Sequence, residues 1–415
     1  MSCCGFKRRW TCLNTDTFLP SVRRLNYHYF AMQAGFWSMF ASICGYQAAL
    51  LLGRGFTSGQ VGLIIAVRCV AGILCQPVLG GFADRHPEIP LKRIIAVSLC
   101  VSLCAGTALM LIPMGLGGVM AVFFVIGAFE VSAYPFVDSM AIQYINAGVP
   151  IRYSVGRGIG SMSYAVISVV LGRVAGRWGV EAVLPVHTAL VLAEIAIISL
   201  YPTFRSPPRH AGQTAEKPRS AFALLRDCPR FTLMLAALFF GISGVTPLSN
   251  FLVNIVTSRG GSVSALGLAL FLMAGSELPI AFLFPRLLRR LGSIRLLFIS
   301  ICFMALKCIL LLCAGSLTAV LVIQPIQMLG YGLFASSSVF FVNDSVPEAD
   351  RVRGQTLMMV ASNGLGGVAG NLLAGQVLDK SGVTAMLLLC TLCCCAGMVL
   401  SAAAVRLVRP DSGRN

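Results

Sequence analysis

Seven ionisable side chains lie inside long apolar stretches of this sequence. They are Arg68, Glu130, Asp138, Arg157, Glu194, Glu277 and Lys307. A charge at the depth of a lipid bilayer costs several kcal/mol unless it is paired or hydrated, so each is a candidate for solute binding or proton transfer. The two signs are mixed, which allows internal ion pairs.

Asp138 and Arg157 flank one short predicted loop, so the helices that carry them are expected to be neighbours. A carboxylate accepts hydrogen bonds from hydroxyl groups, and a guanidinium presents several donors in a fixed fork. The two groups together suit a polyhydroxylated solute better than an apolar one. The alternative is a salt bridge between helix ends.

The remaining buried charges suggest further pairs. Arg68 and Glu130 lie at similar depth in predicted helices 2 and 4, so we expect an ion pair that serves as a structural lock or takes part in transport. Glu277 and Lys307 lie on consecutive antiparallel helices, offset by about 6 Å in depth. They are expected either to couple to proton movement or to form a static bridge. Glu194 is predicted to have a structural role.

The composition indicates that these charges lie in a membrane protein. Of 415 residues, 57% are hydrophobic and 11% are charged, whereas soluble domains carry roughly 25% charged residues. This excludes a soluble enzyme, a disordered chain and a secreted disulfide scaffold. Apolar runs of about 20 residues, long enough to cross a bilayer, predict twelve transmembrane helices over residues 27–52, 59–82, 92–114, 117–146, 154–177, 182–202, 229–256, 263–286, 294–314, 317–343, 355–378 and 382–405.

The basic residues set the expected orientation. Most of the 32 Lys and Arg fall at one set of helix ends when the N-terminus is placed inside, as the positive-inside rule requires. The net charge of +17 therefore reflects topology and implies no nucleic-acid partner. Both termini are predicted to be cytoplasmic, and no cleaved signal peptide is expected because residues 1–26 contain no apolar core.

The sequence divides at a long polar stretch into two similar halves. Ile145-Asn146-x-x-Val149-Pro150 follows predicted helix 4, and Val342-Asn343-x-x-Val346-Pro347 follows predicted helix 10. Such a repeat is typical of a two-lobed transporter with its site between the lobes. The predicted parts are a cytoplasmic N-terminal segment 1–26, a six-helix lobe 27–202, a cytoplasmic linker 203–228, a second six-helix lobe 229–405 and a cytoplasmic tail 406–415.

Glycines are frequent in predicted helices 5 and 11, including Gly172 and Gly375. Small residues let transmembrane helices approach closely, either in static packing or as surfaces that slide when the lobes move. The cysteines at 390 and 393–395 have spacings seen in metal sites, but they lie within one apolar helix without a second ligand pair. They are predicted to be packing residues, and no metal or cofactor is expected.

The run Gly80-x-x-x-Asp84-Arg85 between predicted helices 2 and 3 resembles the conserved loop of the major facilitator superfamily, which the resemblance assigns to gating. Within that superfamily the chain is similar to the lactose permease and phenylpropionate permease branch, the oligosaccharide:proton symporters. Residues 58–85 and 153–164 carry the similarity. The sequence His86-Pro87-Glu88 departs from the usual glycine and basic pair.

The resemblance assigns a sugar-binding arginine to Arg157, a sugar-binding carboxylate to Asp138 and a ring-stacking aromatic residue to Tyr164. It places Lys307 on an arginine near the proton site and Glu277 on an asparagine that touches sugar. The all-α major facilitator fold is the fold that it implies.

The tenth helix departs from lactose permease, because the positions of its Lys, His and Glu read Gln324, Gln327 and Gly330 here. The proton-carrying glutamate and the histidine are therefore missing. If transport is proton-coupled, we expect Glu277 beside Lys307 to take over, with Asp344 as a second candidate.

These features predict a secondary active transporter that imports a small polar solute, with sugar or oligosaccharide favoured, by proton symport with alternating access. Asp138, Arg157 and Tyr164 would bind the solute from one lobe, and Gln324 and Gln327 from the other. The predicted protein is a monomer in the cell inner membrane, spanning it many times, whose partners are the solute, protons and lipid.

Several alternatives remain open. One is an uncoupled facilitator, and another is a proton-coupled carrier of nucleosides or aromatic acids. A drug exporter is less favoured because predicted helix 5 contains no proline. A polytopic receptor is the alternative outside transport. An intramembrane enzyme is not expected, since no His-Glu-x-x-His run is present.

Overall fold

Helices make up nearly all of the described residues, 21–204 and 220–407 of a computed structural model, and those ranges contain no strand. The first half comprises α1 Val22–Gly53, α2 Ser58–Arg85, α3 Leu91–Leu111, α4 Leu116–Asn146, α5 Tyr153–Trp178 and α6 Val183–Leu200. The second half begins with α7 Pro229–Asn250, α8 Val263–Gly275 continued by Leu278–Leu291, α9 Ser293–Cys313 and α10 Leu317–Ser345. Short helices are Val180–Ala182, Ala221–Asp227, Leu252–Thr257 and Glu348–Asp350.

The last helical segment, Arg351–Arg406, is 56 residues long. At 1.5 Å per residue it measures about 84 Å, far more than the ~30 Å of a bilayer core. Its helix is interrupted at Gly382, which has a φ of 78° and a ψ of −176°. We call residues 351–381 α11 and residues 383–406 α12. In total, eleven segments of the described chain are long and apolar enough to cross a membrane.

The observed helix ends differ from the predicted ones where caps and prolines intervene. The first helix begins at Val22 rather than at residue 27, because the Ser21 side chain accepts a hydrogen bond from the amide of Arg24. The third helix ends at Leu111, before Pro113. Within the predicted linker, residues 221–227 are helical, whereas residues 205–219 lie outside the described residues, as do residues 1–20 and 408–415 of the predicted terminal segments.

Four helices are irregular in their interiors. The helix α4 has a π-helical segment at Gly127–Val131, and α11 has one at Val360–Gly366. The helix α10 narrows to a 3₁₀ segment at Gln324–Met328, and α8 is interrupted between Gly275 and Leu278. Pro279 accounts for the last break, because it cannot donate the backbone hydrogen bond that would continue the helix.

These irregular segments carry polar side chains into the bundle. Glu130, Glu277, Gln324 and Gln327 all lie in or directly beside them. Irregular turns inside helices are frequent at functional sites. The irregular segments therefore indicate the same part of the bundle interior as the buried charges do.

The two halves pack closely against each other at one end of the bundle. A Cβ added to Gly172 on α5 would lie 3.0 Å from the Cα of Gly267 on α8. A Cβ added to Gly375 on α11 would lie 2.5 Å from the carbonyl oxygen of Ser58 on α2. Only glycine permits backbones to approach so closely, as predicted for Gly172 and Gly375. We call this the closed end.

A carboxylate also joins the halves at the closed end. Asp379 on α11 accepts hydrogen bonds from the amides of Ser58 (2.6 Å) and Gly59 (2.7 Å), at the N-terminus of α2. These amides have no partner within their own helix, and the helix dipole favours a negative charge there. The opposite half of α2, residues 73–85, contains no buried residue. We call that side of the bundle the open end.

Candidate functional site

Asp138 and Arg157 lie side by side, as their positions around one short loop predicted. Nη1 of Arg157 is 3.6 Å from Oδ2 of Asp138. The other carboxylate oxygen, Oδ1, accepts a hydrogen bond of 2.7 Å from the amide nitrogen of Gln33 on α1. Both charged side chains are only partly exposed, at 13% for Asp138 and 30% for Arg157. The pair is thus sheltered but not completely buried.

Two aromatic rings hold the guanidinium of Arg157. Its Cζ lies 5.1 Å from the centre of the Trp37 ring and 5.2 Å from that of Tyr134. Trp37 in turn donates a 3.1 Å hydrogen bond from Nε1 to Oε1 of Gln33. A cation over an aromatic face is attracted by the ring quadrupole, so these two rings help to fix the position of the Arg157 guanidinium.

The helix α5 leaves room for these rings because it carries glycine where they pack. A Cβ on Gly156 would collide with Tyr29, and one on Gly160 would collide with Trp37. Tyr29 accepts a hydrogen bond of 3.1 Å from Gln33. The glycines of this part of α5 therefore shape the site as well as the packing between helices.

One donor of Arg157, the atom that faces Asp138, is left without a hydrogen bond among the described residues. Nη1 is buried and makes no hydrogen bond within the described chain. A buried donor without a partner costs about 1–3 kcal/mol, which a hydroxyl or carboxylate oxygen of a solute would recover. The arrangement can therefore bind a ligand that offers an acceptor to Arg157 and a donor to Asp138.

Tyr164 lies on the same side of α5 as Arg157, seven residues further along the helix. Its ring centre is 6.4 Å from that of Trp37. A Cβ on Gly45 of α1 would lie 3.3 Å from the Tyr164 hydroxyl oxygen. Tyr164 thus continues the aromatic lining that begins at Trp37.

The second half contributes Lys307 and Gln327, which are bonded to each other. Nζ of Lys307 donates a 2.8 Å hydrogen bond to Oε1 of Gln327, and both side chains are buried. Gln324 is also buried, but its amide nitrogen donates to the carbonyl of Val320, and its oxygen has no partner in the described chain. Gln327 therefore meets Lys307, whereas Gln324 turns to its own helix.

Glu277 lies beside α10, where a Cβ on Gly332 would be 3.4 Å from its Cγ. It also interacts electrostatically with Arg157 and Lys307. No ion pair within 4.0 Å joins Glu277 to Lys307 in the described chain, so the bridge considered from the sequence is not formed. Glu277 instead lies at the break in α8, where it interacts electrostatically with one cation from each half.

Arg68 and Glu130 do not form the ion pair that their similar depth suggested. Nη1 of Arg68 donates to the sulfur of Cys44 at 3.0 Å. Glu130 accepts a 2.8 Å hydrogen bond from Ser102 and lies 3.7 Å from His187. The expectation assumed a regular helix, whereas Glu130 lies in the π-helical segment of α4, which changes the direction of its side chain.

The remaining predicted residues lie near the open end. Asp344 is exposed and accepts a 2.5 Å hydrogen bond from Ser293 at the start of α9. Asp84 and Arg85 are exposed, and nothing would contact a Cβ on Gly80 within 4 Å. Among residues 21–204 and 220–407, none of these side chains contacts the Asp138–Arg157 pair through a hydrogen bond or an ion pair.

The sequence interpretation did not identify Trp37 and Tyr134, although their spacing carried a signal. Tyr134 precedes Asp138 by four residues, and Trp37 follows Gln33 by four. Residues four apart share a helix face, so an aromatic ring one turn from a candidate ligand is itself a candidate.

Comparisons with known proteins support this assignment of the fold. A sequence model of the MFS_1 like family matches residues 22–389. The maltose permease of Geobacillus stearothermophilus is 23% identical over 348 residues, which cover 83% of this chain and 85% of that protein. The uncharacterized transporter YwbF of Bacillus subtilis (strain 168) is 22% identical over 350 residues, covering 83% and 84%.

Solved structures share the architecture. A variant of the nucleoside transporter NupG has a TM-score of 0.79 at 16% identity, covering 92% of this chain and 99% of that one. The POT family transporter PepTSo has a TM-score of 0.71 at 11% identity, covering 93% and 98%. At these identities the similarity establishes the fold alone.

Proposed function

The chain belongs to the MFS_1 like family and is a multi-pass membrane transporter, and from that premise we propose that it imports a sugar or oligosaccharide by proton symport with alternating access. The observation that carries this proposal is the Asp138–Arg157 pair. It combines a shielded carboxylate with a guanidinium whose Nη1 has no hydrogen-bond partner in the described chain.

The chemistry of the pair favours a solute with several hydroxyl groups. A sugar hydroxyl can donate to Asp138 while its oxygen, or that of a neighbouring hydroxyl, accepts from Arg157. The ring of Tyr164 offers an apolar face nearby. The similarity to a maltose permease over 83% of the chain supports the same substrate class.

We infer that Gly382 separates two membrane crossings, which gives twelve helices with both termini in the cytoplasm. By the distribution of Lys and Arg, the closed end would then lie outside and the open end, with Gly80, Asp84 and Arg85, inside. In this conformation the site would be reached from the cytoplasm. The protein would work as a monomer in the inner cell membrane.

For proton coupling we propose Glu277 as the carrier and Lys307 as its partner. Lys307 is bonded to the amide of Gln327, so its ammonium is not neutralised by Glu277 here. Loss of a proton from Glu277 would create a negative charge between Lys307 and Arg157 and draw these cations toward it. Protonation of Glu277 would release these cations. Because Arg157 is one of them, the bound proton would affect the geometry of the Asp138–Arg157 pair. Asp344, exposed at the open end, is the second candidate.

The test is simultaneous measurement of external pH and solute entry in de-energised cells that express the protein. Addition of pooled disaccharides, each of them labelled, should cause transient alkalinisation together with entry of label, and both should vanish in Asp138→Asn. Glu88→Gln, a change at an exposed loop residue, is the control and should behave as the unmodified protein. Entry of label without a pH change would contradict proton coupling. No entry of any disaccharide would contradict sugar transport, and nucleosides and aromatic acids would be tested next.

A further inference from the structure

A second polar cluster is buried among α1, α3, α4 and α6, apart from the Asp138–Arg157 pair. It consists of Ser42, Ser102, Glu130 and His187. Glu130 has no exposed surface, and His187 is 1% exposed. None of these residues is used in the transport proposal above.

The hydrogen bonds determine which nitrogen of His187 carries its hydrogen. Ser42 donates its single hydroxyl hydrogen to the carbonyl of Met39 at 2.6 Å. The Ser42 oxygen also lies 2.8 Å from Nδ1 of His187. Because the shorter contact to Met39 takes the hydroxyl hydrogen, this geometry gives the acceptor role to Ser42 and the donor role to Nδ1 of His187. In the neutral ring, Nε2 is then left with a lone pair.

That lone pair faces a carboxylate oxygen. Nε2 of His187 lies 3.7 Å from Oε2 of Glu130 and makes no hydrogen bond in the described chain. Oε2 already accepts from Ser102 at 2.8 Å. Two acceptors that face each other in a buried site repel unless a proton lies between them.

We propose that Glu130 and His187 form a proton-binding site in the first half, distinct from Glu277 and Lys307, which takes one proton between Oε2 and Nε2. A hydronium ion of the aqueous phase gives up this proton and is left as water, and no other bond forms or breaks. Binding of the proton would convert two opposed lone pairs into one hydrogen bond and draw the two atoms below their present separation. The site goes beyond the transport proposal, because proton binding here requires no solute.

The surrounding charges are compatible with both states. The charged and titratable groups around Glu130 are Arg68 from α2, with its neighbour Cys69, and Cys44 from α1. With Glu130 ionised, Arg68 balances its charge; with the proton bound, Arg68 remains bonded to Cys44. From α6, Glu194 is also fully buried, and neither of its carboxyl oxygens has a hydrogen-bond partner in the described chain.

One turn of α1 connects this site to the aromatic side chains beside the Asp138–Arg157 pair. Ser42 contacts His187, Cys44 accepts from Arg68, and Gly45 packs against the hydroxyl of Tyr164. A change in the distance between Glu130 and His187 therefore acts on the same turn that supports Tyr164. This contact offers a physical route by which the proton could influence the solute site.

The proposal is tested by infrared difference spectroscopy of the purified full-length protein in lipid nanodiscs, without solute. Spectra between alkaline and acidic pH report the carboxyl and carboxylate stretching bands, and the imidazole ring bands, of the groups that a bound proton changes. We expect one titrating band to be lost in Glu130→Gln and to change its midpoint in His187→Gln. Glu194→Gln is the matched control, a buried glutamate on another helix, and should leave that band in place.

A milder variant covers the case in which Glu130→Gln does not fold. Ser102→Ala keeps both titrating groups but removes a hydrogen bond that favours the ionised carboxylate. The midpoint of the Glu130 band should then move to higher pH. The proposal is overturned if every titrating band persists in Glu130→Gln, or if Ser102→Ala and His187→Gln both leave all midpoints unchanged. Because no solute is present, failure of sugar transport would not affect this result.

Discussion

Nη1 of Arg157 lies 3.6 Å from Oδ2 of Asp138, close enough for an ion pair but too far for a hydrogen bond. The guanidinium is positioned by the faces of Trp37 and Tyr134 instead. Nη1 therefore makes no hydrogen bond within the described residues, while the charge of the guanidinium remains compensated. A solute that inserts its hydroxyl groups between the two side chains would complete hydrogen bonds that the protein alone leaves open.

Replacing Arg157 by lysine should weaken solute binding although the charge is retained. The ammonium cannot reproduce the planar fork or its packing on the two rings. We expect a loss of about 2 kcal/mol, or roughly 30-fold in the dissociation constant, measured by equilibrium binding of labelled disaccharide. Arg152→Lys, an exposed arginine just before the same helix, should bind as the unmodified protein does. Equal affinities in the two variants would refute a role for the guanidinium.

Trp37→Leu should weaken binding by about 1 kcal/mol, or roughly fivefold, because Arg157 loses one of its aromatic supports. Trp37→Phe keeps a ring but loses the hydrogen bond to Gln33, so its affinity for the disaccharide should lie between those of the unmodified protein and Trp37→Leu. Titration with labelled disaccharide measures both. Trp178→Leu is the matched control, since Trp178 holds Arg177 at the same 5.1 Å but is 65% exposed. A similar loss in Trp178→Leu would show that the effect is not specific to the site.

Glu277→Gln should separate exchange of solute from accumulation. The variant cannot release a proton, so labelled solute should still exchange across proteoliposome membranes but should not accumulate when a pH gradient is imposed. Uptake would stop at equal concentrations on both sides. Accumulation to the level of the unmodified protein would rule out Glu277 as the proton carrier and leave Asp344 to be tested.

Asp379→Ala should weaken the closed end. Two charge-assisted hydrogen bonds to the amides of Ser58 and Gly59 would be lost. A loss of about 1.5 kcal/mol shifts a two-state equilibrium roughly tenfold toward separation of the halves at this end. Pulsed electron paramagnetic resonance between labels at positions 115 and 315, in loops at the closed end, measures the distance.

Lys380→Ala, a change at the next residue, is the control for that experiment and should leave the distance distribution unchanged. Identical distributions for Asp379→Ala and the unmodified protein would mean that the carboxylate does not stabilise the contact between the halves.

The sequence predicted the helices well because apolar length in a membrane protein is a strong local signal. The proximity of Asp138 and Arg157 followed from the shortness of one loop. The helix ends were predicted less accurately, because they depend on single side chains such as the Ser21 cap. The linker prediction also did not anticipate the helix Ala221–Asp227.

The partners of the buried charges were harder to predict. Depth along a helix can be counted from the sequence, but the direction of a side chain depends on the regularity of the turns before it. Glu130 lies in a π-helical segment and meets Ser102 and His187 instead of Arg68. Asp379 and Ser58 are far apart in sequence, and no local pattern links them. Such contacts arise from packing between the halves.

The binding of a polyhydroxylated solute at Asp138 and Arg157 is tested most directly by the fluorescence of Trp37. The chain has three tryptophans, so Trp10→Phe combined with Trp178→Phe leaves Trp37 alone, beside Arg157. We predict a saturable fluorescence change on titration with a disaccharide, absent when Asp138→Asn is added to the same background. A saturable fluorescence change with the same affinity in the presence and absence of Asp138→Asn would contradict the account. So would the absence of any fluorescence change with every disaccharide, if the protein with Trp37 as its single tryptophan still transports one of them.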